Sequence, residues 1–208
     1  MAHWKTEGIS RLLVLFSAAL LIASCASGLE GGPILLHPVP PGAGPYRLTQ
    51  GALVFDGPDF RVSARPVDWR TAEDQYGKEA GDLSGYVFLS VRFENSSRQS
   101  IFFNPVRTTM YTQKRSFSVP LDLSDIYFMN RDDPGVEERL KKYRQLSFDG
   151  SATVVPGATE ERYLVFPVPT GKLEVLELVV DDLHVGTRSF NLSFLFEAFP
   201  VGEESSER

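Results

Sequence analysis

The clearest periodicity in the chain is the alternation of Val87, Leu89, Val91 and Phe93 with Ser90, Arg92 and Glu94. A period of two is that of a half-buried strand, predicted here over Tyr86–Asn95 and closed by the turn-forming Asn95-Ser96-Ser97-Arg98. Phe60, Val62 and Ala64 repeat the pattern and predict a strand over Phe60–Arg65. Phe190, Leu192, Phe194 and Phe196 predict another within Ser189–Phe199. Shorter apolar runs predict strands at Leu53–Phe55, Ile101–Phe103, Thr108–Thr112, Phe117–Leu121, Thr153–Val155, Glu161–Phe166 and over 172–180. Turn residues separate them at Asp56-Gly57-Pro58-Asp59, Gln113–Ser116 and Pro156-Gly157. Thr71 to Leu83 shows no clear period.

One stretch changes period. Asp133-Pro134 suits a helix N-cap and first position, Glu137 and Glu138 suit its positive start, and Lys141, Lys142 and Arg144 suit its end. Val136, Leu140 and Tyr143 share one face, which predicts an amphipathic helix of about three turns. Short strands separated by turns, with one helix among them, predict a mainly β fold. The expectation is an immunoglobulin-like antiparallel β-sandwich over 49–200, with a helical insertion at about 122–150. Residues 201–208 read as a disordered tail.

The amino-terminal pattern is different. Lys5 and Arg11 precede an apolar run from Leu12 to Ile22 that is interrupted only by Ser17. This is a positive region followed by an apolar region of secretory length, about half of what a spanning helix needs. The run closes on Ile22-Ala23-Ser24-Cys25, which contains the only cysteine of the chain. That quartet resembles the lipobox of bacterial lipoproteins. The resemblance implies that residues 1–24 are a signal peptide and that Ile22, Ala23 and Ser24 are read by the signal peptidase. Cys25 would then become the lipid-modified mature amino terminus, carrying long acyl chains such as palmitate. Ala26, where inner-membrane retention would call for Asp, implies the periplasmic face of an outer membrane.

Residues 25–48 read as a tether. Ala26 to Pro45 is half glycine and proline, which excludes a helix or an interior strand. Extended as polyproline, that stretch would span on the order of 60 Å. Ile34-Leu35-Leu36 could dock onto the domain or a partner. The net charge of the 208-residue chain is −6, and removing Lys5, Arg11 and Glu7 with the signal leaves −7. An acidic balance argues against nucleic acid as a partner. With Cys25 lipidated no disulfide can form, so the core alone must hold about 150 residues together.

Taken together, Phe60–Arg65, Tyr86–Asn95 running into Ile101–Phe103, Val155-Pro156-Gly157 before Tyr163–Phe166, and Phe190–Phe196 resemble the telokin-like immunoglobulin domains of exported bacterial lipoproteins. The inserted helix departs from that pattern. Three histidines and no second cysteine supply no metal cluster at usual spacings, and no nucleophile elbow or phosphate loop is present. No cofactor is expected. The acidic pairs Asp132-Asp133 and Asp181-Asp182 fit caps and turns better than a hydrolytic dyad or a calcium site. Two surface features remain, namely the basic helix residues Arg139, Lys141, Lys142 and Arg144, and the aromatic group Tyr127, Phe128, Tyr143 and Phe148. The expectation is a non-enzymatic, membrane-anchored envelope lipoprotein that binds or scaffolds an envelope protein or polymer through residues 122–150. The alternative is a hydrolase or carbohydrate-active module using carboxylates such as Asp125, Asp132 and Asp133.

Overall fold

The computed structural model describes residues 33–40, 42, 44–77, 83–169 and 173–201. Ile22, Ala23, Ser24 and Cys25 lie outside them. Two antiparallel sheets pack face to face. Five strands, β2 (Tyr46–Thr49), β3 (Ala52–Asp56), β4 (Phe60–Val67), β5 (Tyr86–Asn95) and β10 (Thr159–Pro167), form one sheet in the order β10-β5-β4-β3-β2. The seven-stranded sheet runs β1 (Ile34–Val39), β12 (Arg188–Pro200), β11 (Val175–Val185), β6 (Ile101–Phe103), β9 (Ala152–Val154). In the same sheet β7 (Thr108–Thr112) also pairs with β11, and β8 (Phe117–Ser118) pairs with β7.

The alternation that predicted β5 does what its period requires. Val87, Leu89, Val91 and Phe93 enter the core between the sheets, where they meet Phe103, Phe148, Phe166, Phe194 and Phe196. The rings of Phe93, Phe103 and Phe148 lie 4.8 to 5.8 Å apart in tilted and edge-on pairs, the geometry aromatic quadrupoles favour. Tyr46 ties the sheets together at one edge, its phenol oxygen accepting from the Ser193 N–H at 3.0 Å and its ring edge-on to Phe194.

A second apolar cluster lies on the outer face of the five-stranded sheet. Phe88, Tyr163 and Val165 point away from the sandwich core and are covered by Ala72, Tyr76, Leu121 and Tyr143. The covering elements are α1 (Trp69–Tyr76), α2 (Leu123–Asn130) and α3 (Val136–Leu146). The architecture of the described residues is therefore a two-sheet sandwich with three short helices rather than one inserted helix. Helix α1 escapes the sequence pattern because it has two turns and buries only Ala72 and Tyr76, a single i,i+4 pair. Asp68 caps its start, accepting from the Arg70 N–H at 2.7 Å, and Gly77 ends it at φ 86°, a left-handed backbone that favours glycine. Helix α2 is held by a capping box in which Asp122 and Asp125 each accept the other's backbone N–H at 2.9 Å. Helix α3 starts after Gly135 rather than at Asp133-Pro134, and the Asp133 carboxylate instead accepts from the Gly135 N–H at 2.7 Å.

The tether boundary also changes. Ile34–Val39 is paired along its length with β12, Ile34 opposite Pro200 and Val39 opposite Leu195. Ile34 and Leu36 pack on the main core. Proline excludes an interior strand but not an edge one, so Pro38 is accommodated where β1 covers the flank of β12. Tyr46–Thr49 is likewise a strand, paired with β3. Residues 34–39 and 46–49 thus belong to the sandwich.

Candidate functional site

The helical layer meets the sheet imperfectly and leaves a cleft of about 230 Å³. Its floor is Phe88 of β5 and Val165 of β10, and Tyr76 closes one side from α1. Leu121, Ile126 and Met129 of the α2 segment roof it, and Arg139, Lys142 and Tyr143 of α3 form the remaining wall. The walls owe their position to local sequence. Tyr143 falls on the buried face of α3 and donates its phenol hydrogen to the Leu121 carbonyl, and Leu121 in turn donates its backbone N–H to the Val165 carbonyl at 2.8 Å. The Tyr76 phenol is hydrogen-bonded to the Ser147 hydroxyl at the end of α3. The Tyr86 hydroxyl donates to Met129 Sδ at 3.3 Å, which ties the end of α2 to the start of β5.

Burial pushes the Tyr76 and Tyr143 phenols well above the ordinary value, partly offset by their bonding to Ser147. Tyr163, which donates to Gln75 Oε1, is raised for the same reason. These phenols are therefore neutral hydrogen-bonding struts across the physiological range.

The four basic residues singled out on the helix do not form one patch. Arg139 and Lys142, one turn apart, line the cleft. Lys141 faces solvent and pairs with Glu138 at 3.7 Å, and Arg144 pairs with Asp149 at 3.8 Å. Arg139 is largely buried, with its guanidinium bonded to Asn130 Oδ1 and Asp133 Oδ2, while its Nε has no partner among the described residues. Lys142 is half-buried and makes no ion pair among the described residues.

The carboxylates considered for hydrolysis have local duties. Asp125 closes the α2 capping box, Asp133 holds Arg139 and the start of α3, and Asp132 is exposed beside Arg131 at 3.8 Å. Asp182 sits at φ 61° in the β11 bulge between Val180 and Leu183, accepting from the Ser189 hydroxyl and pairing with His184 at 3.0 Å. Among the described residues no group of three His, Cys, Asp or Glu side chains is placed to hold a metal ion. The aromatic group divides as well. Phe148 enters the main core and Tyr143 the second cluster, whereas Tyr127 and Phe128 are exposed on α2.

Outside the cleft, sequence reading misses a charged lattice on the five-stranded sheet. Arg47 and Arg61 both bond Asp56, Arg61 and Arg92 both reach Glu94, and Arg65 and Arg92 approach Glu161. Hydrogen bonds from Arg47 and then Arg61 hold the Asp56 carboxyl below its ordinary value. Opposite charges placed in cross-strand register are the available signal for it, and register is not readable before the strands are paired.

Fold and cleft define a class, a mainly β two-sheet sandwich with a helix-roofed apolar cleft on one face. No family model and no curated protein matches the chain. Among solved structures, the yjhA protein from Bacillus subtilis is a distant structural match at 12% identity, covering 72% of this chain and 94% of that one with a TM-score of 0.35.

Proposed function

We propose that the protein is a bacterial cell-envelope lipoprotein, anchored through lipid on Cys25 at the periplasmic face of the outer membrane, whose sandwich is a non-enzymatic binding or scaffolding module. The resemblance of its strand pattern to telokin-like immunoglobulin domains is part of that reading. The bound component, an envelope protein or polymer, is held at the cleft beneath residues 122–150. Lys142 carries the proposal: it is a half-buried cation on the wall of an otherwise largely apolar cleft and has no carboxylate to neutralise it among the described residues. A partner group that brings negative charge next to apolar surface would satisfy both features, because an unneutralised cation and an unfilled apolar cleft each favour being covered.

The test uses the lipidated protein in its own membrane, with a photocrosslinking residue at Ile126. A discrete crosslinked species that disappears in Lys142→Glu, with the thermal melt unchanged, supports the reading. Recovery of no partner, together with turnover of an envelope substrate by the purified protein, would sink it. The address is tested apart from the cleft. Cys25→Ser abolishes lipid labelling and releases the protein or leaves its precursor uncut, whereas membrane retention of a processed form contradicts the anchor.

A further inference from the structure

The docking of β1 changes how the chain leaves its anchor. Only eight positions separate Cys25 from Pro33, the residue that precedes β1 and whose carbonyl accepts from the Val201 N–H at 2.9 Å. At most about 3.6 Å per residue, that chain reaches no farther than about 29 Å. Strand β12, with 13 residues, is itself about 44 Å long at the usual rise. A lipid on Cys25 would therefore keep the Pro33 end within about 29 Å of the membrane, less than the length of the sandwich.

Several elements converge on the Pro33 end. Ile34 to His37 lie against Pro66 to Trp69 and Tyr86 to Phe88, so β1 starts where β4 ends and β5 begins. Tyr86 holds the end of α2 there through Met129. Strand β7 runs towards the same end, with Thr112 opposite Leu176 near the start of β11, so the turn after it projects from that end.

The surface so gathered carries exposed apolar side chains together with cations. Phe117 and Phe128 are each 66% exposed, and Phe199 and Val201 at the end of β12 each 38%. Lys114 and Arg115, in the projecting turn, are exposed and make no ion pair among the described residues. Trp69 lies half-buried beneath the Arg70 guanidinium at 5.1 Å. Asp68, committed to capping α1, and Glu174 are acidic residues of the same end. Apolar and aromatic side chains beside unpaired cations are what an interfacial contact with anionic lipid requires, and a lipid chain anchors more firmly when a second signal of this kind accompanies it.

We infer that the Pro33 end, with Trp69, Phe117, Phe128 and the Lys114–Arg115 turn, is a lipid-contact face that seats the domain directly on the membrane and leaves the opposite end of the sandwich pointing away. The inference rests on lipidation of Cys25. In this arrangement the lipid chains supply the holding force, and the face supplies orientation, which brings the cleft beneath α2 to a fixed distance from the bilayer.

The test places a spin label at one position at a time, Phe128→Cys at the near end and Val155→Cys at the far end, in the lipidated protein. Each is reconstituted into vesicles of phosphatidylethanolamine and phosphatidylglycerol. The label at 128 is expected to lose most of its collisions with a water-soluble relaxation reagent and to gain collisions with oxygen, while the label at 155 keeps full aqueous access. Lys114→Glu combined with Arg115→Glu is expected to restore aqueous access at 128 without releasing the protein from the vesicles. Equal aqueous access at both positions in a protein whose mass shows the lipid on Cys25 overturns this inference alone. Absence of the lipid from the mass overturns it together with the anchor. Protection of 128 only in native membranes, and not in pure lipid, assigns the face to a protein partner and also overturns it.

Discussion

Tyr76 and Tyr143, 5% and 4% exposed, join the helical layer to the sandwich, and their phenols give that layer a measurable signature. In the unfolded chain both ionise near the ordinary value of 10.0, whereas burial raises both when the chain is folded. Below that pH both states hold the protons, so the stability these groups confer is complete. As pH rises past it the unfolded chain binds fewer protons than the folded one, and stability falls until the folded phenols themselves ionise. Each phenol contributes a slope of about 1.4 kcal/mol per pH unit, so the pair contributes about 2.7 kcal/mol per unit. The double variant Tyr76→Phe, Tyr143→Phe loses that slope. It also loses the bonds to Ser147 and to the Leu121 carbonyl, at about 1 kcal/mol each, and so starts about 2 kcal/mol less stable near neutrality. The two stability curves are expected to converge and to cross near about pH 11, where the lost slope matches the lost bonds. Urea unfolding followed by far-ultraviolet circular dichroism, from about pH 8 to about pH 11.5, measures both curves. Parallel curves would show that these phenols ionise freely in the folded protein and refute the buried arrangement.

Four further substitutions probe the sandwich itself. Phe93→Ala, at the centre of the ring cluster with Phe103 and Phe148, is expected to lower unfolding stability by about 3–5 kcal/mol in the same urea assay. Asn95→Ala is expected to cost about 2–3 kcal/mol, because the buried amide donates to the Val154 carbonyl at 2.7 Å and to the Gln99 carbonyl at 2.9 Å while its oxygen accepts from Ser97. A stability change within experimental error would refute that latch. Leu36→Asp is expected to destabilise by about 1–2 kcal/mol while His37→Asp, on the exposed side of β1, stays near neutral. Equal, negligible effects at 36 and 37 would return residues 34–39 to a tether.

Three consequences follow from one departure from simple alternation. In β5 and β10 the runs Val87 to Val91 and Tyr163 to Phe166 are buried on both faces. Both strands therefore need cover on the outside of their sheet. The cover is the helical layer, and its incomplete fit is the cleft. The same layer carries Tyr127 and Phe128, which are left exposed by a helix none of whose residues is buried.

The sequence by itself determined the strands whose periodicity reflects one buried face. Strands β5, β6 and β7 have the predicted limits, and β12 extends its expected range by a residue at each end. These are local properties, since a period of two and a flanking turn are complete within about ten residues. Residue chemistry alone also raised the proposals that await experiment, namely the anchor at Cys25 and the binding role. Only the tertiary structure decided the rest. The dockings of β1 on β12 and of β2 on β3 depend on open edges that their own glycine- and proline-rich neighbourhood does not reveal. The two-turn helix α1 exists because Ala72 and Tyr76 find Phe88 and Tyr163 to cover, not because its own residues favour a helix. Arg139 and Lys142 separate from Lys141 and Arg144 because the packing of α3 fixes which side of the helix meets the sheet. Charge order along the sequence carries no record of that choice. A feature set by neighbours within a turn or two is legible in the chain, while one set by contact between segments a hundred residues apart awaits the fold.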